Sequence, residues 1–163
     1  MALMEGDRAP MFELPAVSGR ERSLFRMKDY LGRKLVVVTF HPLDWTPTCE
    51  SQVPILNTMR GKFAACDAQV IDISVDSIES HIAWQEREIG RVDIPLCADF
   101  YPHGAVTKQF GIMREGPPVA GISERAAFVV DKQGIIQFAK VYPIGQLPDL
   151  PGLLAETEKV AKG

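Results

Sequence analysis

The residues Leu35-Val-Val-Val-Thr-Phe40 are followed directly by His41-Pro-Leu-Asp-Trp-Thr-Pro-Thr-Cys49, and together they predict a strand, a loop and a helix. Its first part is an apolar, β-branched run of strand length, which predicts a buried strand. The prolines at positions 42 and 47 then predict a loop. From Thr48 to about Ala64 the apolar residues follow helical spacing, which predicts a helix capped by Thr48 and kinked at Pro54.

The rest of the chain alternates in the same way. Val70 to Val75 predicts a second strand, and Asp76 with Glu79 forms a capping-box pattern ahead of the next helix. The core-facing side of that helix is predicted to consist of Ile78, Ile82, Gln85 and Ile89. The later predicted elements are a short strand (Ile94 to Cys97), a brief helix (His103 to Phe110), two strands joined by a glycine-containing turn (Ala126 to Val130 and Ile135 to Val141) and a closing helix (Asp149 to Lys162).

This order of elements predicts the fold class. A parallel βαβ unit, an antiparallel hairpin and a final helix are typical of an α/β, thioredoxin-like fold with a central mixed β-sheet flanked by helices. The length of 163 residues and the lack of repeats or linkers favour a single domain over residues 1–163. Fold class alone does not name a function.

Composition excludes some partners. The net charge of -3 is spread along the chain without a basic cluster, so nucleic acid is not expected as a partner. No apolar run approaches the roughly 18 residues that span a bilayer, and the first residues lack the apolar core of a signal peptide. We therefore expect a cytoplasmic protein that does not enter a membrane.

The three cysteines, Cys49, Cys66 and Cys97, are odd in number and widely spaced. This spacing argues against a secreted disulfide framework and against a CxxC pair. A lone cysteine is usually a small buried hydrophobe. Cys49 differs because it follows Thr48 at the predicted start of a helix, where free N–H groups and the helix dipole favour a thiolate, the nucleophilic form of cysteine.

Arg125 supplies a candidate cation for this thiolate. It stands immediately before the predicted strand Ala126 to Val130. If that strand runs antiparallel to Leu35 to Phe40, its beginning lies at the same sheet edge as the end of the first strand, beside Cys49. Taken alone, an arginine at a strand start is more often a solvated charge.

Two motifs carry a resemblance to a known family. Pro42-Leu-Asp-Trp-Thr46-Pro-Thr-Cys49 matches the PxxxTxxC motif of peroxiredoxins, and Ser123-Glu-Arg125-Ala-Ala-Phe-Val-Val-Asp131 looks like the family's arginine-bearing strand. The resemblance extends from Gly6-Asp-Arg-Ala-Pro10 to the closing helix. It implies a thiol-dependent peroxidase that reduces hydrogen peroxide and organic hydroperoxides.

The resemblance also implies a role for each matched residue. Cys49 would be the peroxidatic cysteine that becomes a sulfenic acid, and Thr46 would hydrogen-bond the peroxide. Pro42 would shield the thiolate from water, and Arg125 would polarise the O–O bond. No metal or organic cofactor is required by this chemistry, and none of the three histidines has a ligand-like partner spacing.

The chain departs from the family pattern at two positions. Gln52 stands where many members carry Glu, so a carboxylate role is in doubt there. His41 stands where Tyr is frequent, and it could either tune the site or pack at the strand end.

The sequence also indicates how the sulfenic acid would be reduced. Pro54 occupies the position of a resolving cysteine in one subfamily, while Cys66 and Cys97 are both predicted to be buried. The segment Asp99 to Val106 is similar to the alkyl hydroperoxide reductase E branch, whose members are one-cysteine enzymes. This similarity implies an external reductant such as thioredoxin, glutaredoxin or a low-molecular-weight thiol. It also implies a homodimer, with Trp45, Trp84 and Tyr101 as interface candidates and core packing as the alternative for Trp84.

Other functions share parts of this pattern. A thioredoxin-type disulfide oxidoreductase would need a CxxC pair, but position 46 is Thr, and the catalytic Gln and Trp motifs of a glutathione peroxidase are absent. A peroxide sensor or redox relay would hold oxidised Cys49 without significant turnover. A holdase would not need Cys49.

Overall fold

The computed structural model describes residues 1–163, and Leu35–Phe40 forms an interior strand of its seven-stranded sheet. The seven strands are β1 (Glu13–Ser18), β2 (Glu21–Arg26), β3 (Leu35–Phe40), β4 (Ala68–Ser74), β5 (Leu96–Ala98), β6 (Arg125–Val130) and β7 (Ile136–Tyr142). The helices are α1 (Pro47–Ala64), α2 (Ile78–Trp84), α3 (Ala105–Gln109) and α4 (Leu150–Lys162), with a 3-10 turn at Met27–Tyr30 and a π-helical turn at Gln85–Ile89. None of these helices combines the length and the apolar content needed to cross a bilayer.

The sheet is mixed, with the order β2-β1-β5-β4-β3-β6-β7. Strands β3, β4 and β5 run parallel, whereas β6 runs antiparallel to β3, with Phe40 paired to Ala126. The end of β3 and the beginning of β6 therefore meet at one sheet edge. This confirms the predicted fold class, and the antiparallel pairing meets the condition on which the placement of Arg125 beside Cys49 depended.

The core lies on both faces of the sheet, because successive side chains of a strand point in opposite directions. Leu35 and Val37 face a cluster that is completed by residues of α1, α2 and α4. Val36 and Val38 face a second cluster, built from the N-terminal segment, the first hairpin and α3. Since β3 is buried on both faces, it carries an unbroken apolar run rather than an alternating one.

The predicted boundaries are wrong at two helix starts. Helix α1 begins at Pro47, so Thr46 and not Thr48 occupies the N-cap position, although the Thr46 side chain makes no capping hydrogen bond. Proline is favoured at the first helical position because it has no N–H to satisfy. Helix α2 is capped by the Ser77 hydroxyl, which accepts from the N–H of Ser80, instead of by Asp76. The predicted kink at Pro54 stays a prediction.

The first hairpin and the buried side of α2 also differ from the sequence-based expectation. The β1–β2 hairpin was not predicted, since residues 21–26 are mostly charged or exposed and lack an apolar run. Of the residues predicted to face the core, Ile78 and Gln85 are buried, whereas Ile82 and Ile89 are only partly buried. The buried side of α2 also includes His81 and Trp84, which the periodicity did not predict.

Candidate active site

Cys49 lies in the first turn of α1, directly below the loop that leaves β3. Its side chain is fully buried and packs in the cluster between the sheet and the helices. Proline at the first helical position and the extended conformation of Thr46 set the direction in which the helix starts. The thiol is thus held on a rigid element rather than on a mobile loop.

The backbone around Cys49 leaves hydrogen-bond donors free. Glu50 is the first residue of α1 whose N–H enters the helical pattern, by donating to the Thr46 carbonyl at 2.9 Å. The N–H groups of Thr48 and Cys49 donate to no other protein group, and the Thr46 side chain does not cap them. Free donors at a helix start favour an anion at this point.

Arg125 meets Cys49 across 76 positions of sequence. Its Nη1 lies 3.4 Å from the Cys49 Sγ, and its side chain is buried. The guanidinium is held by the Ile144 carbonyl, which accepts from Nε at 3.1 Å and from Nη2 at 2.7 Å. A fixed, desolvated cation therefore faces the sulfur.

Gln52 completes the surroundings of Arg125. Its Oε1 accepts from Arg125 Nη1 at 2.6 Å, and its amide nitrogen lies 3.4 Å from the Phe40 carbonyl. The amide thus orients the guanidinium without adding a negative charge. In the sequence Gln52 is visible only as a departure from the family pattern, and Ile144 carries no signal, since a backbone carbonyl is independent of residue type.

The other two motif residues lie in the loop between β3 and α1. Thr46 is partly buried, and its hydroxyl donates to the Leu43 carbonyl at 2.7 Å. Pro42 is buried beside His41, whose N–H continues the sheet by donating to the Ile73 carbonyl. All four predicted residues thus belong to one sheet edge, and Arg125 with Cys49 form the pair in direct contact.

The remaining cysteines lie elsewhere. Cys97 is fully buried, as predicted. It lies on β5 in the core cluster on the opposite face of the sheet from Cys49. Burial and the nearby Asp72 and Asp99 raise the pKa of its thiol far above the usual range. Cys66 was predicted to be buried, but it is partly exposed beyond the end of α1. It lines an open cleft of about 560 Å³ at the opposite end of that helix from Cys49.

His41 is buried and forms hydrogen bonds with two carboxylates, Asp44 and Asp72. Donor atoms of His41, Asp44 and Asp76 lie within 4.8 Å of one another, which is close enough to consider a cation. Both ring nitrogens of His41 are already engaged by carboxylates, so the geometry is that of a hydrogen-bonded ion-pair cluster. Sequence spacing did not indicate this cluster, although an acid at position 72 inside an apolar strand was a usable signal.

These features define a class: a thioredoxin-like protein with a buried thiol at a helix start and an arginine beside it. The model of the AhpC/TSA family matches residues 5–139, and the chain therefore belongs to this family, the peroxiredoxins. The resemblance predicted from the two motifs is confirmed.

Curated relatives agree with this assignment. The chain is 34% identical over 144 residues to alkyl hydroperoxide reductase E of Mycobacterium tuberculosis, covering 88% of this chain and 89% of that protein. It is 32% identical over 145 residues to the chloroplastic 2-Cys peroxiredoxin BAS1 of Spinacia oleracea, covering 86% of this chain. The match spans only 53% of the length of that longer protein.

Solved structures share the fold over almost the whole chain. Reduced 2-Cys peroxiredoxin of Plasmodium vivax superposes with a TM-score of 0.89 at 25% identity, covering 96% of this chain and 81% of that chain. AhpC of Mycobacterium tuberculosis superposes with a TM-score of 0.85 at 21% identity, covering 97% and 93%. The thioredoxin-like arrangement predicted from sequence is confirmed.

Proposed function

We propose that this protein is a thiol-dependent peroxidase in which Cys49 reduces hydrogen peroxide and organic hydroperoxides. The observation that carries the proposal is the contact between Arg125 Nη1 and Cys49 Sγ, at the first turn of a helix with free N–H donors. Membership of the peroxiredoxin family supports the same chemistry.

The proposed step is an in-line displacement. The Cys49 thiolate attacks the oxygen of the hydroperoxide that carries the proton, so an S–O bond forms while the O–O bond breaks. Sulfur is oxidised to a sulfenic acid, and the other oxygen leaves with the electron pair and takes a proton to become water or an alcohol. Arg125 stabilises the charge that grows on the leaving oxygen, because prearranged donors act most strongly in the transition state. The Thr46 hydroxyl gives its proton to the Leu43 carbonyl, so its oxygen is free to accept a hydrogen bond from the hydroperoxide.

Pro42 has a steric role in this proposal. Its buried ring cannot donate a hydrogen bond, so it covers the thiolate side of the loop without competing for the sulfur. Exclusion of water strengthens the interaction between Arg125 and the sulfur.

We further propose that an external thiol reduces the sulfenic acid. One thiol forms a mixed disulfide with Cys49 and releases water, and a second thiol then releases Cys49 and leaves as a disulfide. Cys97 cannot serve in the folded protein, because it packs on the opposite face of the sheet. Cys66 lies beyond the far end of α1, more than about 20 Å from Cys49 at 1.5 Å per helical residue.

The test is rapid mixing of the reduced protein with hydrogen peroxide or an organic hydroperoxide, followed by tryptophan fluorescence and intact mass. We expect a fast change and a gain of one oxygen, both absent in Cys49→Ser and retained in Cys66→Ser and Cys97→Ser. Loss of two hydrogens that requires Cys66 or Cys97 would overturn the one-cysteine mechanism, and an unreactive Cys49 would overturn the peroxidase proposal.

Turnover distinguishes the enzyme from a peroxide sensor. With thioredoxin, glutaredoxin or a low-molecular-weight thiol supplied in turn, the enzyme consumes many equivalents of hydroperoxide. A sensor would retain oxidised Cys49 after a single equivalent with each reductant. The reductant that gives the highest turnover identifies the physiological class of partner.

We also propose a homodimer. Its interface would lie at the end of the sheet where β3 leads into the loop before Cys49. Trp45, Phe100 and Tyr101 are exposed apolar side chains on loops at this end, with Tyr101 88% exposed. Trp84 is fully buried in the core, so it does not contribute to such an interface. Sedimentation velocity should give a dimer that Tyr101→Asp weakens, whereas Leu24→Asp on the distant strand β2 should not; equal effects would contradict this interface.

A further inference from the structure

A cluster of buried ionisable side chains lies behind the loop between β3 and α1. We call His41, Asp44, Asp72 and His81 the buried charge cluster; each of them is at most 2% exposed. His41 donates from Nδ1 to the Asp72 carboxylate and from Nε2 to Asp44 Oδ1 at 2.6 Å. His81 Nδ1 lies 2.8 Å from Asp44 Oδ2, and its Nε2 donates to the Cys97 carbonyl at 3.1 Å.

The charged forms of His41 and Asp44 stabilise each other. Burial opposes a proton on His41, but the charges and hydrogen bonds of Asp72 and Asp44 outweigh it and raise the pKa of His41 well above its usual range. Burial alone would raise the pKa of Asp44, yet its hydrogen bonds with His41 and His81 hold it well below the usual range. Burial and the charge of Asp44 together raise the pKa of the neighbouring Asp76. At neutral pH, protonated His41 therefore bridges two carboxylates.

Asp44 connects the cluster to the β4–α2 turn and to helix α2. Its carboxylate accepts from the Ser80 hydroxyl of α2 at 2.9 Å, in addition to its contacts with the two histidines. Its backbone N–H donates to Asp76 Oδ2 at 2.9 Å, in the turn that follows β4. Asp44 thus ties the loop to the β4–α2 turn and to α2, while His41 ties it to β4 through Asp72.

The next residue shows why the loop needs such support. Trp45 has a φ of 73°, in the left-handed region that a bulky side chain rarely adopts. Its indole N–H donates to the same Ser80 hydroxyl, at 3.2 Å. The contacts of Asp44 and of the Trp45 indole therefore stabilise the chain in this strained conformation. Thr46 follows immediately, and Pro42 stands two residues before Asp44.

We propose that Asp44, held by His41 and His81, is a positioning residue that fixes Pro42 and Thr46 against Cys49 for reaction with hydroperoxides. This inference rests on the proposed peroxidase function. Asp44 acts through the loop and does not itself touch the reacting atoms. Displacement of a reacting geometry by about 1 Å can reduce a rate by about 100-fold, so a loosened loop has a measurable cost.

The experiment compares two reactions of Cys49 in the full-length protein. Reaction with hydrogen peroxide depends on the placement of Pro42 and Thr46 in the loop, whereas alkylation by iodoacetamide requires only an accessible thiolate. We expect Asp44→Asn, which keeps the side-chain shape but removes the charge, to lower the peroxide rate by about 10- to 100-fold relative to the alkylation rate. An equal fall in both rates, or no fall in either, would overturn the proposal.

Two further variants keep the test decisive. Asp99→Asn is the matched control, because Asp99 is an equally buried carboxylate that binds Thr107 at the start of α3 and does not contact the loop. We expect its ratio of the two rates to equal that of the wild type.

If Asp44→Asn does not fold, Ser80→Ala removes single hydrogen bonds to Asp44 and Trp45, and we expect a fall of about threefold in the ratio. An unchanged ratio in Ser80→Ala would then refute the positioning role.

The peroxide rate of wild-type Cys49 distinguishes a failure of the positioning role from a failure of the proposed peroxidase function. If its Cys49 reacts with peroxide no faster than free cysteine does, the peroxidase proposal itself fails. If its Cys49 reacts fast and the ratio stays constant in the folded variants, only the role of Asp44 fails.

Discussion

At the scale of single residues, the site depends on how Arg125 divides its donors. Two of its nitrogens, Nε and Nη2, hold the Ile144 carbonyl, and Nη1 reaches both Cys49 and Gln52. A planar guanidinium can serve these partners at once because its five N–H donors form a rigid fork. A lysine ammonium in the same place would keep the charge but could not span the carbonyl and the sulfur together.

This difference yields a prediction for Arg125→Lys. We expect the second-order rate of Cys49 oxidation by hydrogen peroxide to fall by about 100-fold, as when one donor to a developing charge is removed. Rapid-mixing fluorescence measures the rate, and Arg114→Lys, at a pair with Glu124 in the preceding loop, serves as the control. A rate for Arg125→Lys close to that of the wild type would mean that positive charge alone is sufficient.

At the scale of elements, the starts of α1 and α2 illustrate two uses of a helix N-terminus. Helix α1 leaves the Thr48 and Cys49 N–H groups without partners, which suits a thiolate. Helix α2 is closed by Ser77, whose hydroxyl accepts from the Ser80 N–H at 3.0 Å. The open helix start thus lies at the candidate site, and the closed one stabilises a helix that supports it.

The role of Ser77 as the N-cap of α2 can be tested by measuring the free energy of unfolding. Ser77→Ala should lower the free energy of unfolding by about 1 kcal/mol, since the Ser80 N–H loses its acceptor. Ser77→Thr retains an oxygen at the same place and should cost less. Urea unfolding of the two variants measures the difference; if both lose the same stability, the hydroxyl is not the cap.

At the scale of the whole molecule, the sheet separates two hydrophobic cores. The buried charge cluster lies between the end of β3 and helix α2. The buried charge cluster should therefore make stability depend on pH. The pKa of Asp44 is held low in the folded state, so its contribution is present above about pH 4 and is lost as the pH falls further. The pKa of His41 is raised, so its contribution is full below about pH 6.5 and is lost as the pH rises through the folded value.

We therefore expect His41→Gln to be most destabilising between about pH 4 and pH 6.5. In that window the loss should be about 3–5 kcal/mol, because two buried carboxylates lose their shared cation. Urea unfolding across the pH range measures the difference between the variant and the wild type, and His103→Gln, outside the cluster, is the control. A difference that does not change with pH would contradict an ionic role for His41.

Much of the fold could be predicted because its elements are encoded locally. Strand β3 and the closing helix follow from apolar runs and periodicity. The antiparallel pairing of β6 with β3 stayed a condition until the tertiary structure showed it. The β1–β2 hairpin could not be predicted, because its outer strand is mostly exposed and carries little apolar pattern. Helix starts were misplaced because the choice among Thr46, Thr48, Asp76 and Ser77 depends on which backbone angles the surrounding fold imposes.

The family, the fold class and the candidate site of Pro42, Thr46, Cys49 and Arg125 could be read from the amino-acid sequence. These belong to short motifs and to patterns of side-chain type, which a chain carries before it folds. Three features became visible only in the folded protein: Arg125 lies 3.4 Å from Cys49, Cys97 lies on the other face of the sheet, and two carboxylates bind His41. Such contacts join residues that are distant in sequence, and their strength depends on the burial that folding creates.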